Sequence, residues 1–319
     1  MKRRTLKKLA IAFLVPVALA IGAEFYLRTK VPHCGVTPFR LSETPGLNSE
    51  FRPGFSTLYK GFEVSWNSSG YRGPEFPAKE EGLSRIAMIG DSFVFGTAVD
   101  LPDTMAVRLE RQTTNFQVLN FGVPGYNAGH VAAVLETDAL PEDPDLVLYV
   151  FYNNDMHAPV VWDEIDPEAE IDGMHGFPAG SALLQWLNVR GKQIALRWFD
   201  WQLARATAEG AAKMWEQEGR ERVEPQLRRM QELCAERNVR FVVVAYPMLT
   251  KVGNNPFRPV DEGFLELCGE LSIEHYDLLD AFGDEIDLTK YWASVFDTHP
   301  NGDANQLVAE HLAPLLNGL

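Results

Sequence analysis

The sequence predicts an α/β fold, a three-layer α/β/α sandwich built on a parallel sheet of five strands. Three observations carry that prediction. Apolar runs recur at 86–89, 118–121, 146–152, 241–246 and 275–279. They are near-continuous and rich in Val, Ile and Leu, as strands covered on both faces require. Helical patterns alternate with them at about 103–114, 128–140, 222–237, 261–271 and 304–317, which implies right-handed crossovers between parallel strands.

Taken in order, the chain begins with a basic flank: Lys2, Arg3, Arg4, Lys7 and Lys8. An uncharged apolar run from Leu9 to Ala23 follows, and Phe25, Tyr26 and Leu27 extend it past Glu24. A positive flank stays cytoplasmic, so the body should lie outside the cytoplasm, periplasmic or extracellular. Residues 1–30 read as an uncleaved single-pass membrane anchor. The alternative is a signal peptide cleaved near Ala18-Leu19-Ala20, which would leave a secreted protein. Residues 31–83 are rich in Pro, Gly, Ser and aromatics and read as an N-terminal extension that connects the membrane to the body and is partly packed on it. Two short strands, at 55–60 and 62–66, should pair there before a turn at Asn67-Ser68-Ser69-Gly70. Its function is not legible.

The α/β body is expected over 84–319. Its first strand is followed by Gly90-Asp91-Ser92, so a serine stands at a strand's carboxyl end, where open α/β sheets bind ligands. Such a serine is either a nucleophile or an ordinary helix N-cap. The helix over 222–237 carries a stripe of Val223, Leu227, Met230 and Cys234. The last helix should turn Leu307, Val308, His311, Leu312, Leu315 and Leu316 inward. One stretch, about 156–221, is too long for a plain crossover. It is first acidic (Asp163, Glu164, Asp166, Glu168, Glu170, Asp172), then aromatic (Trp186, Trp198, Phe199, Trp201, Trp215). It reads as a helical insertion, serving as a lid or simply as packing. The acidic run lacks an ordered calcium-loop signature.

Composition excludes several functions. The chain has 29 Lys and Arg against 44 Asp and Glu, a net charge of −15. The basic flank conceals an even more acidic body, which nucleic acid would repel. Three cysteines, Cys34, Cys234 and Cys268, show no metal-type spacing. One pair could bridge in an oxidising compartment, but Cys234, on an apolar stripe, suits a small buried residue. His130, His157, His175, His275 and His311 show no ligand spacing with one another. No metal and no cofactor are expected.

A nucleophilic serine needs a base, an orienting acid and oxyanion donors. His299, in Phe296-Asp297-Thr298-His299-Pro300-Asn301, follows the fifth strand and so lies on the same sheet edge as Ser92. Asp297 could hold its other ring nitrogen. A Gly125 backbone N–H after the second strand and an Asn154 side-chain amide after the third could face an oxyanion. Turn chemistry is the alternative for both.

These four blocks, in this order, resemble the SGNH (GDSL-type) hydrolase family, over about 84–155 and 239–317. The resemblance implies a flavodoxin-like sheet and carboxylic-ester chemistry. It implies Ser92 as nucleophile, the Ser92 and Gly125 N–H groups with the Asn154 side chain as oxyanion hole, His299 as base and Asp297 as its partner. Two departures stand out. Position 93 is Phe instead of Leu, and the acid lies two residues before the histidine instead of three, so a backbone carbonyl is the alternative orienting group. The segment Asn67–Glu75 is similar to one in membrane-anchored envelope members of the family, with cell-envelope glycans as the implied setting. The expected function is an extracytoplasmic serine esterase or O-deacylase acting through an acyl-enzyme on acylated carbohydrate or another small ester. An O-acyltransferase of envelope glycans with the same triad is one alternative. A non-catalytic envelope-assembly or glycan-binding protein is another. Oligomeric state is not legible.

Overall fold

The computed structural model describes residues 3–29, 38–59, 62–112, 115–157, 181–184, 186–187, 208–251, 253, 255–294 and 297–316. The chain opens with helix α1 (Arg3–Arg28). Four short strands follow: β1 (Phe39–Leu41), β2 (Ser49–Phe51), β3 (Ser56–Tyr59) and β4 (Phe62–Ser65). β1 pairs antiparallel with β2, and β3 with β4. The body then runs β5 (Ser84–Gly90), α2 (Ser92–Phe95), α3 (Met105–Gln112), β6 (Phe116–Gly122), α4 (Ala128–Val134) and β7 (Leu146–Phe151). After the partly described stretch come α5 (Ala208–Met214), α6 (Arg220–Glu236), β8 (Arg240–Ala245), α7 (Arg258–Glu270) and β9 (Glu274–Asp277). A hairpin of β10 (Trp292–Ser294) and β11 (Asp297–Pro300) precedes α8 (Gly302–Leu316).

The central sheet has five strands in the order β6-β5-β7-β8-β9, all parallel. Chain order reverses between β5 and β7, which makes that crevice the switch point where such sheets bind ligands. Register aligns the strand ends: Gly90 pairs with Gly122 and with Val150, and Phe151 with Ala245. Side chains alternate between two cores, as a pleated strand dictates. Ile86, Met88, Leu148, Val150 and Val242 face α3 and α8. Ala87, Ile89, Tyr149, Phe151 and Val243 face α4, α6 and α7.

Each expected strand is present within one or two residues of its expected ends. The α6 stripe of Val223, Leu227, Met230 and Cys234 is buried. α6 continues back through a π-helical turn, Trp215–Gly219, into α5. Trp215 lies in the core, at 6.3 Å from Phe264 and 6.4 Å from Phe151 between ring centroids. Cys234 and Cys268 are free and buried, and burial pushes both thiols up to about 12. Cys34, His175, the acidic run, Trp198, Phe199 and Trp201 lie outside the described residues.

One expectation is corrected. The inner stripe of α8 is Ala304, Val308, Leu312 and Leu316, spaced by four, with Asn305 and Ala309 beside it. His311, Leu307 and Leu315 are only partly buried, because they sit at the stripe's edge. The N-terminal extension packs on the body. Phe51, Val64, Trp66 and Tyr71 belong to the main core.

Candidate active site

Ser92 is the first residue of α2, immediately after the end of β5. The turn is tight because one glycine in it and one beside it are needed. Gly96 closes α2 in the left-handed region, at φ 79°, where any side chain is strained. A Cβ on Gly122, in the neighbouring strand, would fall 2.1 Å from the Phe95 nitrogen. The second strand thus reaches α2 only because it ends in glycine.

Asp91 caps α2. Its Oδ1 accepts the Phe93 N–H at 2.9 Å. Its Oδ2 accepts the Asn154 amide at 3.0 Å and lies 3.2 Å from the Ser92 hydroxyl. Asp91 is fully buried, and that burial raises its carboxyl above the usual range, against the hydrogen bonds and the nearby His299, which favour the charge. Beneath it Asp155, also buried, accepts the Tyr149 hydroxyl at 2.7 Å. Burial and then the charge of Asp91 push Asp155 well above its usual value.

His299 approaches from the β10–β11 hairpin. Its Nε2 is 2.9 Å from Ser92 Oγ. Its Nδ1 is 2.5 Å from Asp297 Oδ1, which also accepts the His299 backbone N–H at 3.1 Å. The two-residue spacing has a simple basis: in a strand, residues i and i+2 share a face. With Asp297 and His299 both on β11, the carboxylate lies beside the ring. The imidazole is further held by Phe93, 5.4 Å away between centroids. Phe93 itself stacks on Tyr152 at 4.1 Å and meets Tyr246 at 4.8 Å. The Phe at position 93 thus joins the third and fourth strand ends to the histidine.

Asn154 lies in a 3₁₀ turn directly after β7. One of its amide hydrogens goes to Asp91, so the amide plane is fixed and the second hydrogen stays available. Asn153, its neighbour, is the more buried of the two. Gly125 is exposed, at φ 82°, and its nitrogen makes no backbone hydrogen bond among the described residues. His130 has a structural role. It forms a reciprocal capping box with Asn127 at the start of α4, and burial lowers its pKa. His275 bonds the Ile273 carbonyl at 2.7 Å. Among the described residues, no group of three His, Cys, Asp or Glu side chains is placed to hold a metal ion.

Sequence reasoning gave no role to Asp91 or Arg72. The signal for Asp91 was available, since Asp before Ser at a helix start is a cap pattern. Nothing local announces Arg72, an arginine only 4% exposed.

The model of the GDSL-like lipase/acylhydrolase family matches residues 88–307. Among solved structures, a G-D-S-L family protein from Desulfitobacterium hafniense DCB-2 is similar at 16% identity and a TM-score of 0.46, covering 73% of this chain and 99% of that one. The lipase Lip_vut3 from a goat rumen metagenome is 15% identical, with a TM-score of 0.48 and coverage of 74% and 98%. The lipase/acylhydrolase from Enterococcus faecalis is 15% identical, with a TM-score of 0.44 and coverage of 74% and 96%. No curated protein matches the chain.

Proposed function

The chain belongs to the GDSL-like lipase/acylhydrolase family and is an ester-hydrolysing serine hydrolase of the SGNH type, and we propose that it works outside the cytoplasm through an acyl-enzyme on Ser92. The observation that carries the assignment is the contact of His299 Nε2 with Ser92 Oγ, at 2.9 Å, while Asp297 holds Nδ1.

In this reading the ring with its proton on Nδ1 accepts the Ser92 proton at Nε2 as Oγ attacks the ester carbonyl. The carbonyl oxygen becomes an oxyanion. The Ser92 N–H, the Gly125 N–H and the free hydrogen of the Asn154 amide stabilise it. Collapse forms the acyl-serine and expels the alcohol, which takes the proton from His299. Water, deprotonated by the same imidazole, then releases the acid. Asp297 keeps the ring in the reactive tautomer and stabilises the transient imidazolium.

We assign the substrate to O-acyl groups on carbohydrate or to another small carboxylic ester. The support is the similarity of the Asn67–Glu75 segment to that of envelope members of the family. The location rests on α1. Its stretch Ile11–Arg28 is apolar enough to cross a membrane, and Ile11, Phe13, Leu14 and Leu19 are exposed. Twenty-six helical residues extend about 39 Å, against about 30 Å for a hydrocarbon core.

The test is turnover of a panel of acetylated sugars and short aryl esters by the full chain and by Ser92→Ala. Release of acetate that Ser92→Ala abolishes supports the reading. Acetate appearing on an added acceptor glycan, with no free acid, would move the assignment to acyl transfer.

A further inference from the structure

We propose that Arg72, in the N-terminal extension, is a positioning residue that holds the Ser92 turn in its reactive geometry, so that the extension is part of the catalytic unit. The proposal rests on Ser92 being the nucleophile.

The argument begins with the shortness of α2. A helix of four residues cannot satisfy its own last carbonyls. Ser92 O is taken by the Gly96 and Thr97 N–H groups. Val94 O is taken by the Asn120 amide at 2.8 Å. Three further carbonyls of the turn, those of Phe95, Gly96 and Val99, all accept from one guanidinium. Arg72 Nη1 donates to Phe95 O at 3.2 Å and to Gly96 O, and Nη2 donates to Val99 O at 2.7 Å. A cation at the carboxyl end of a helix also complements its dipole. The group stands 5.2 Å above the Phe95 ring. Burial lowers its pKa to about 10, so it stays charged at neutral pH.

The segment bearing Arg72 is itself rigidly tied. Asn67 Oδ1 accepts the Ser69 and Tyr71 N–H groups, and its Nδ2 donates to Pro74 O. Trp66 bridges Arg72 in antiparallel fashion. Tyr71 donates to Asp138, beyond α4. Phe51, Tyr59 and Trp66 surround Phe95, with centroids 5.3, 5.7 and 6.2 Å away. The motif Asn67-Ser68-Ser69-Gly70-Tyr71-Arg72 is thus a brace. Its end result is three hydrogen bonds on the turn whose first residue is Ser92. Lysine cannot replace that fork, since its single ammonium cannot span three carbonyls fixed by the backbone.

The experiment compares the full chain with Arg72→Met and Arg72→Lys. Leu227→Ala, at a buried α6 residue that makes none of the hydrogen bonds to the turn, serves as a control for lost stability. Reactive serines are counted by titration with a fluorophosphonate, and kcat is expressed per titrated site. A purely structural role lowers the count of sites and leaves the turnover of each unchanged. The positioning role predicts that kcat per site falls about 10–100-fold in Arg72→Met with KM within about twofold, because small misplacements of a nucleophile cost that much. Arg72→Lys should recover only part of it, and Leu227→Ala should keep wild-type turnover per site. If Arg72→Met does not fold, Arg72→Lys, with its stem and charge retained, carries the same comparison. Wild-type kcat per site in either folded variant overturns the proposal. Absence of titration in the wild-type chain would instead overturn Ser92 as nucleophile.

Discussion

The two halves of the site are held in different ways. The Ser92 turn is buried on every side, and its constraints come from far along the chain: Arg72, Asn120, Gly122 and Asn154 all bear on it. The His299 hairpin is a two-stranded ribbon with a register shift between Trp292 and Ser294. Its geometry comes largely from itself, through the alternation that sets Asp297 beside His299. The proposed nucleophile is therefore fixed by tertiary structure and the proposed base by local structure. Damage to the first half should spread into folding, whereas damage to the second should stay in the chemistry.

Substitutions within the hairpin and the turn separate these cases, beginning with the largest effects. His299→Ala should lower kcat by about 10⁴-fold or more and leave the melting temperature nearly unchanged, measured by steady-state kinetics and calorimetry. Asp297→Asn should cost about 10²–10⁴-fold in kcat by favouring the wrong tautomer, again with little change in stability. Asn154→Ala should lower kcat about 10²–10³-fold while KM moves little, since in the proposed mechanism the amide acts on the oxyanion. It should also lower the melting temperature, because it strips a partner from buried Asp91. Gly96→Ala belongs to the turn. Its left-handed backbone and the Thr104 methyl, 2.5 Å from the new Cβ, predict a loss of stability together with a loss of activity. A hairpin variant that melts early, or a turn variant that stays stable, would break the comparison.

The smallest predicted effect lies outside both halves. Asp261, in α7, is 1% exposed, and neither carboxylate oxygen has a hydrogen-bond partner among the described residues. Burial, then the charge of Asp277, raises its pKa well above the usual value. The folded state therefore holds a proton that the unfolded state gives up, and stability falls as pH rises from about 4, the unfolded value, through the folded one. Asp261→Asn should raise the melting temperature by a few degrees at neutral pH and not at all below about pH 4. The gain should grow with pH and leave kcat unchanged. A gain independent of pH would assign the effect to packing.

How legible each part was follows from whether its determinants are local. Strands such as 86–89 and 146–151 announce themselves by unbroken apolarity, because both faces are covered. The glycines, Ser92, Asn154 and His299 are legible as types that suit strand ends. β6 starts earlier than its apolar core, at Phe116, because pairing with Ser84 carries polar Gln117 along. His311 was misplaced because Leu307 and Leu315 widen the apparent stripe of α8. The extension resisted reading because its aromatics follow no period; Phe51, Trp66 and Tyr71 find their place only against Phe95 and Phe121. Arg72 acts on backbone carbonyls brought close by folding, and no spacing in the sequence encodes that.

The most direct test of the central claim is covalent labelling of the full chain with a fluorophosphonate, with the modified peptide located by mass spectrometry. The account predicts one adduct, on Ser92, that forms slowly in His299→Ala and not at all in Ser92→Ala. Labelling of the folded wild-type chain no greater than that of Ser92→Ala, or an adduct on another serine, would contradict it.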